Sequence, residues 1–268
     1  MCLILFATDA HARYALIVAA NRDEAYSRAA APAAFWEDCP QLYGGRDLEQ
    51  GGTWLGLSRT GRFAAITNYR AASRSATARS RGELTREFLV GNEGADRYLQ
   101  RVSRRADEYN GFSLIVGTPT NLYFFSNRGA ATEPIGAGVH GLSNHLLNEP
   151  WPKVSRGKAA LASLLDAPAE EIVSRMHAAL ADRTPAADAL LPSTGVGLQR
   201  ERDLSPAFIA GEHYGTRAST VVLVSRNGDV LFSERSFGAR GAALSEREQR
   251  FVLDETPTPA RPKAPARA

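Results

Sequence analysis

Short apolar runs and helical patterns alternate in blocks along this sequence, and their order restricts the fold more than any other feature. The first two apolar runs, Cys2–Thr8 and Tyr14–Ala20, are separated by the small polar segment Asp9–Ala12 and predict a β-hairpin. Further strand pairs then alternate with two helical regions, rather than single strands with single helices. This order favours an α+β fold with layered sheets over a Rossmann-type alternation.

The remaining elements are predicted from local periodicity and turn residues. The predicted strand pairs are Trp54–Leu57 with Arg62–Asn68, Phe112–Val116 with Leu122–Ser126, and Thr220–Ser225 with Val230–Ser236. The predicted helices are two within Gly82–Asp107, broken near Gly91–Gly94, and two at Trp151–Leu165 and Glu170–Leu180. The charged segment Asn21–Arg28 is predicted to be a loop, and the glycine-rich segments Tyr43–Asp47 and Gln50–Thr53 are predicted to be turns.

Length and composition are those of a soluble globular protein. The chain has 268 residues, of which 44% are hydrophobic and 23% charged, so it can bury a sizeable core in a single domain. We place this domain at residues 1–256 and predict a disordered tail rich in Pro, Ala and Arg at residues 257–268. The formal net charge of +3 is mild, and no basic run is interleaved with aromatic residues, so we expect no nucleic-acid partner.

Cellular context follows from the apolar runs and the cysteines. No apolar run reaches the ~18 residues of a membrane-spanning helix, so we expect no transmembrane segment and a cytoplasmic location. The two cysteines, Cys2 and Cys39, are too few for a disulfide framework or a zinc site. No histidine pair has the spacing of metal ligands, so we expect no metal; the histidines are His11, His140, His145, His177 and His213. The cluster Arg70, Arg74, Arg79 and Arg81 predicts a flexible loop that attracts anions.

Cys2 is the residue with the clearest chemical potential. It follows Met1, and a small second residue normally allows the initiator Met to be removed, which leaves a cysteine with a free α-amino group. Such an amine has a pKa of about 8, so one residue supplies both a thiol nucleophile and a general base. The ordinary alternative is a small hydrophobic residue that begins a core strand.

Several short motifs together resemble the NRDE family, also called the transport and Golgi organisation family. They are Met1-Cys2, Asn21-Arg22-Asp23-Glu24, Gly44-Gly45-Arg46-Asp47, Gly51-Gly52-Thr53-Trp54-Leu55-Gly56, Thr67-Asn68-Tyr69-Arg70, Gly141-Leu142-Ser143-Asn144 and Tyr214-Gly215-Thr216-Arg217. Their joint order makes the resemblance specific over residues 1–237. It implies a relation to N-terminal nucleophile hydrolases, and hence a four-layer αββα sandwich. We expect the two glycine pairs, Gly44-Gly45 and Gly51-Gly52, to be scaffold around a cleft, since neither matches a phosphate-binding loop.

The resemblance also implies site residues. Cys2 is then the nucleophile, and Asp23 is the carboxylate that orients its amino group. The related amidases carry an arginine where this chain has Ala20; Arg22 lies two residues later, on the same face if the strand continues and elsewhere if it has ended. Oxyanion donors are expected from Asn68 and Asn144, whose ordinary alternative is a role in turns. Arg217 is expected to complete a charge network with Asp23. In a competent site, Arg22 or Arg217 and a partly protonated α-amino group are expected to lower the pKa of the Cys2 thiol.

Two functions remain open at this level. One is an amidase or acyltransferase that acts on an acyl amide or a related amphipathic substrate through Cys2, with no cofactor required. The other is a non-enzymatic carrier or chaperone of haem or of an acyl lipid or acyl-coenzyme A, with haem as a bound ligand and Cys2 or His145 as its conceivable axial ligand. Both involve a small amphipathic ligand, and neither fixes the oligomeric state.

Overall fold

The protein forms two stacked antiparallel sheets in the computed structural model, which describes residues 2–72, 75, 78–129 and 131–254. The strands of the six-stranded sheet, in spatial order, are β10 (Gly138–Leu142), β1 (Cys2–Thr8), β2 (Tyr14–Ala25), β11 (Tyr214–Ser225), β12 (Asp229–Phe237) and β13 (Ala243–Val252). The strands of the seven-stranded sheet are β3 (Ala30–Trp36), β4 (Cys39–Asp47), β5 (Leu55–Ser58), β6 (Phe63–Asn68), β7 (Phe112–Thr118), β8 (Asn121–Ser126) and β9 (Glu133–Ile135).

Helices cover the outer face of each sheet. Helices α1 (Gly82–Val90) and α2 (Ala95–Ser103) pack on the seven-stranded sheet. Helices α3 (Pro152–Ala162) and α4 (Ala169–Leu180) pack on the six-stranded sheet, and a short helix α5 (Leu198–Asp203) follows later in the chain. The predicted four-layer αββα sandwich is therefore confirmed. The predicted tail at residues 257–268 lies outside the described residues.

Three hydrophobic clusters hold the layers together, because alternate residues of each strand point to opposite faces. The central cluster joins the two sheets and includes Phe6 and Val18 from one sheet and Leu57 and Ile115 from the other. A second cluster fills the space between the six-stranded sheet and helices α3 and α4, and a third lies between the other sheet and helices α1 and α2. The ends of the central layer are where a cleft between the sheets can open.

The predicted loop at Asn21–Arg28 is wrong, because β2 continues to Ala25 and pairs along its length with β11. Its polar residues remain in the strand because tertiary partners satisfy them. The buried Asn21 amide donates hydrogen bonds of 2.8 Å to the carbonyls of Leu180 and Ala207, and its side-chain oxygen accepts one of 2.6 Å from Ser219. A buried polar group without such partners would be costly, and none of these partners is near in sequence.

The predicted turn at Tyr43–Asp47 is also wrong, since these residues belong to β4. Glycine is needed there for close strand packing: a Cβ on Gly44 would lie 2.7 Å from the carbonyl oxygen of Leu55 in β5. A turn does form where the predicted segment Gln50–Thr53 begins, at Leu48–Gly51. There the Gly51 N–H donates a hydrogen bond of 2.8 Å to the Asp47 carbonyl, and Gly51 has a positive φ of 69°. No helix among the described residues is long and apolar enough to cross a membrane.

Candidate functional site

Cys2 lies on a cleft of about 550 Å³ at one end of the layer between the sheets. In the antiparallel ladder Cys2 is directly opposite Arg22, and Arg22 is directly opposite Ala218 on the next strand. Side chains of directly opposite residues share a face, so these three point into the space between the sheets. The facing sheet contributes Asn68 at the end of β6, and Asp47 at the end of β4, to the same cleft.

The Cys2 thiol is shielded, with 7% of the residue exposed. Burial raises its pKa, and the Asp23 carboxylate adds to the rise, while the Arg22 guanidinium and the Asp23 backbone N–H oppose it. The expected lowering of the thiol pKa is therefore wrong for this arrangement, because desolvation outweighs the arginine. The strand start is fixed in place by the Ser143 hydroxyl, which donates a hydrogen bond of 3.1 Å to the Cys2 carbonyl.

Arg22 and Asp23 are adjacent in sequence but point to opposite faces of the six-stranded sheet. Because β2 continues through both residues, Arg22 shares the face of Ala20 and of Cys2. Asp23 points towards the helix layer, where its Oδ1 accepts a hydrogen bond of 2.7 Å from the Thr216 hydroxyl. Of the two positions left open for Arg22, the structure gives the one on the same face as Ala20, while the Asp23 side chain lies on the opposite face.

Asp23 is buried in a cationic environment. Burial raises the pKa of its carboxyl, and Lys153, the Thr216 hydroxyl and Arg70 act in the opposite direction. The Tyr214 hydroxyl also donates a hydrogen bond of 3.0 Å to the Asp23 carbonyl. Charged and hydrogen-bonding neighbours therefore reduce the cost of holding this carboxylate inside the protein.

A buried charge network behind Asp23 was not predicted from the sequence. Lys153 is 3% exposed, its Nζ donates a hydrogen bond of 3.0 Å to the Leu204 carbonyl, and burial lowers its pKa to about 8. Arg70 forms a buried ion pair with Glu201 in α5 and lies 4.5 Å from the centre of the Trp151 ring. Arg70 is thus not part of an exposed anion-attracting loop, as we had predicted for its cluster.

One sequence signal could have pointed to Lys153. It shares the buried face of α3 with Gly157 and Leu161, four and eight residues later, so a lysine stands where the helical period predicts an apolar residue.

The other described ion pairs of the predicted loop's arginines are exposed. Arg79 forms ion pairs of 2.8 Å with Glu83 and with Glu108. Arg74 lies outside the described residues.

The two candidate oxyanion donors differ in their exposure to the cleft. Asn68 lines it, whereas Asn144 is fully buried with a positive φ of 58°, and its Nδ2 donates a hydrogen bond of 3.0 Å to the Asn68 carbonyl. The Asn144 carbonyl accepts a hydrogen bond of 2.7 Å from the backbone N–H of Arg70. Asn144 therefore fixes the end of β6, and its role as an oxyanion donor stays a prediction.

Arg217 also lines the cleft, but its hydrogen bonds differ from the predicted network with Asp23. It occupies the irregularity between Thr216 and Ala218, where the β2–β11 register shifts. Its guanidinium donates hydrogen bonds of 2.9 Å to the carbonyls of Ala25 and Arg28. The cations that act on the Asp23 carboxylate are instead Lys153 and Arg70, on the helix side of the sheet.

A second cavity of about 1010 Å³ shares four lining residues with the cleft: Glu24, Arg28, Asn68 and Arg81. Part of its wall is apolar and comes from Leu204, Pro206, Phe208 and Ile209. The cleft at Cys2 and this larger space of mixed polarity are therefore neighbours, with the shared residues in the walls of both. Cys39 lies elsewhere, at the start of β4 against the outer cluster of the seven-stranded sheet.

The residues considered for haem binding, Cys2 and His145, have other partners within the described part of the chain. No group of three or more His, Cys, Asp or Glu side chains in the described part of the chain could hold a metal ion. His145 Nε2 lies 2.6 Å from the Tyr69 hydroxyl, and its Nδ1 lies 3.0 Å from Glu149 Oε2. Axial ligation of haem by His145 requires breaking one of these contacts.

Comparison with known proteins identifies the family. The model of the family "Transport and Golgi organisation 2" matches residues 1–239. The chain belongs to this family. It is 36% identical over 261 residues to the Transport and Golgi organization protein 2 homolog of Bos taurus, covering 88% of this chain and 93% of that protein. It is 28% identical over 269 residues to Transport and Golgi organization protein 2 of Drosophila melanogaster, covering 88% and 92%.

A solved structure supports the fold at lower sequence identity. The Caenorhabditis elegans N-acylethanolamine-hydrolyzing acid amidase ortholog matches with a TM-score of 0.50 and 14% identity, covering 83% of this chain and 92% of that one. At this identity the similarity shows a shared N-terminal nucleophile hydrolase fold, and function has to be argued from the site itself.

Proposed function

We propose that the protein is an amidase or acyltransferase in which Cys2, made N-terminal by removal of Met1, is the nucleophile. The observation that carries this proposal is that Cys2 begins a central strand, on the open cleft between the sheets of an N-terminal nucleophile hydrolase fold. The Asp23 carboxylate lies on the neighbouring strand, one residue beyond the direct partner of Cys2. A carboxylate at this position holds a terminal ammonium group beside the thiol.

The reaction then proceeds in two balanced steps. The free α-amino group accepts the thiol proton while Sγ bonds to the carbonyl carbon; the C–N bond breaks, and the amine leaves with that proton. Water or another acceptor next attacks the thioester, releasing the acyl group and restoring the thiol. The cleft-facing Asn68 amide is positioned to donate to the developing oxyanion.

The raised pKa of the Cys2 thiol favours this assignment of the base. A thiol that remains protonated near neutral pH needs an adjacent group to accept its proton, and the α-amino group is the nearest one available after Met1 is removed. We expect the substrate to be amphipathic, because a larger, partly apolar cavity adjoins the cleft at Cys2.

Intact mass spectrometry tests this proposal directly. The purified protein should lack Met1, and incubation with an N-acylethanolamine panel should release fatty acid and give a transient mass increase equal to one acyl group. Cys2→Ala should lower turnover by at least about 1,000-fold, and Cys39→Ala should have no effect. Quantitative retention of Met1, or equal turnover in the two variants, would exclude the mechanism.

The second candidate is a carrier that holds an acyl ligand or haem in the same cavities without chemistry. The size of the cavity beside the cleft and the shielded Cys2 favour it. A carrier should bind a fluorescent fatty acid or haem equally well in the Cys2→Ala variant, with no acyl-enzyme mass at any pH. Acyl transfer to Cys2 contradicts the carrier function.

A further inference from the structure

Arg22 presents a weakly paired positive charge to the cleft, directly opposite Cys2 in the sheet. Its side chain is 11% exposed, so the guanidinium is largely removed from bulk water. Asp47 Oδ2, at 4.0 Å, is the one described carboxylate within ion-pair distance, and Arg28 already engages that oxygen at 2.7 Å. The Arg22 guanidinium donates no hydrogen bond to any described residue, although it carries five N–H donors.

Arg217 adds a second positive charge on the adjacent strand. No carboxylate of a described residue lies within 4.0 Å of its guanidinium, and its hydrogen bonds go to neutral backbone carbonyls. Burial lowers the pKa of Arg217, and repulsion from Arg22 contributes to the same shift. Two guanidinium groups therefore face the same cleft, and each raises the cost of holding the other there.

Four acidic residues among those described line the cleft, and none of them forms a close ion pair with either arginine. Glu24 opposes the lowering of the Arg217 pKa by its charge, but its Oε1 accepts a hydrogen bond of 2.9 Å from the Ala25 N–H. Glu234 is buried, accepts hydrogen bonds from the Ala33 N–H at 2.6 Å and the Thr220 hydroxyl at 3.2 Å, and burial raises the pKa of its carboxyl. Asp47 is held by Arg28, and Asp23 points to the helix side of the sheet. The guanidinium groups of Arg22 and Arg217 thus give the cleft positive charge and N–H donors that an anionic group near Cys2 can contact.

From this arrangement we infer that Arg22 and Arg217 form a subsite for an anionic group of the substrate. The ligand is an acyl compound that carries a carboxylate or a phosphate close to the carbonyl attacked by Cys2, and the inference rests on the proposed function for that reaction. Arginine suits such groups because its planar fork of N–H donors matches their oxygens. Binding of the anion removes the repulsion between the two guanidinium groups.

Alkylation of Cys2 by two reagents of different charge tests the subsite without any turnover. Iodoacetate is anionic and iodoacetamide is neutral, and the same bond forms with the thiol in each case. We expect the ratio of the iodoacetate rate to the iodoacetamide rate to be about tenfold higher at Cys2 than at Cys39 in low salt, and to fall as salt is added. An equal ratio at the two cysteines overturns the inference.

Variants assign the effect to particular side chains. Arg22→Gln should bring the Cys2 ratio to that of Cys39, and Arg22→Lys should keep most of the preference because it retains the charge. Arg217→Gln should give a partial loss. Arg175→Gln, on the exposed face of α4, is the matched control and should leave the ratio unchanged. A preference that survives Arg22→Gln in a folded protein contradicts the assignment.

Protection experiments distinguish the two anion classes. N-acetylglycine, its neutral amide and inorganic phosphate are compared as protectants of Cys2 against iodoacetamide. Stronger protection by N-acetylglycine than by its amide identifies a carboxylate subsite, and stronger protection by phosphate identifies a phosphate subsite. Equal protection by the neutral amide overturns the inference. If the protein prefers iodoacetate but hydrolyses no amide, the anion subsite is supported and the amidase function is refuted. If it hydrolyses amides but shows no iodoacetate preference, the amidase function is supported and the anion subsite is refuted.

Discussion

The two faces of the sheet at the end of β2 treat buried charge in different ways. On the cleft face, Arg22 reaches one described carboxylate, Asp47, at 4.0 Å, and Arg217 reaches none within that distance. On the helix face, Asp23 lies near Lys153, and Arg70 is paired with Glu201, so two positive charges meet two negative ones. We interpret the paired charges on the helix face as structural, and the weakly paired arginines on the cleft face as a binding site for an anionic group.

The largest expected effect comes from breaking the balanced side. Glu201→Gln leaves the buried Arg70 without its carboxylate and should lower the free energy of unfolding by about 3–5 kcal/mol. Urea unfolding of the purified protein measures this loss. Glu171→Gln, which removes an exposed partner of Arg175 on α4, is the control and should cost less than about 0.5 kcal/mol.

Replacing both partners of the pair sharpens this test. The double variant Arg70→Met with Glu201→Leu should recover much of the lost stability, because no buried charge is left unpaired. Similar unfolding midpoints for Glu201→Gln and Glu171→Gln would show that the network does not stabilise the fold, and the contrast between the two faces would then disappear.

A somewhat smaller effect should appear as a pH dependence of stability caused by Lys153. Its pKa falls from 10.5 to about 8 in the folded protein, so between these values the unfolded chain holds a proton that the folded protein has released. Stability should therefore rise with pH through this window, by up to about 3 kcal/mol, as the cost of burying the charged lysine disappears.

The Lys153 contribution has to be isolated from that of Cys2. The raised pKa of the Cys2 thiol acts with the opposite sign, since stability is lost as pH rises above its ordinary value of 9.0. The rise is therefore measured as the difference between the wild type and Lys153→Met. Lys158→Met, on the same helix but with its amine on Asn148, should follow the wild-type curve. A difference curve that is flat from pH 8 to 10.5 contradicts the prediction.

The smallest effect links the two faces through the Cys2 thiol. Because the Asp23 carboxylate raises the thiol pKa and Arg22 lowers it, Asp23→Asn should shift the pH profile of Cys2 alkylation by iodoacetamide to lower pH. Arg22→Gln should shift it to higher pH. If both variants shift the pH profile in the same direction, packing around Cys2, and not the charges of Asp23 and Arg22, controls the pKa of the thiol.

The fold was predicted well where strands alternate regularly or pair through short turns. The hairpins at Cys2–Ala20 and Thr220–Ser236 and the four main helices lie close to their predicted positions. The elements that were missed have sequences that violate the usual pattern. The edge strand β13 contains Glu246, Arg247 and Glu248 in a row, which is typical of a strand edge exposed to water. Strand β3 is short of large apolar residues, and Pro32 lies within it.

The candidate site was predicted in part for a similar reason. Cys2, Arg22, Asn68 and Arg217 contribute to the cleft as expected, and Asp23 lies in its wall with the carboxylate directed to the helix layer. Each of these residues belongs to a short motif that is recognisable in the sequence. The buried charge network behind Asp23 was not predicted, since Lys153 and the Glu201 partner of Arg70 come from helices more than a hundred residues after Asp23. Asn144 was named as a candidate from its motif, but its left-handed backbone conformation and its hydrogen bond to the Asn68 carbonyl could be seen only in the folded protein.

The sequence by itself determined the family, the main hairpins and helices, and which residues were candidates for the chemistry. These depend on local periodicity and short motifs, which persist in the chain whether or not it is folded. The tertiary structure alone decided that Arg22 and Asp23 point to opposite faces, that the Cys2 thiol is shielded enough for its pKa to rise, and that Lys153 and Arg70 lie near Asp23. These properties arise from burial and from long-range neighbours, because desolvation and Coulomb interactions depend on distance in space and not on separation along the chain.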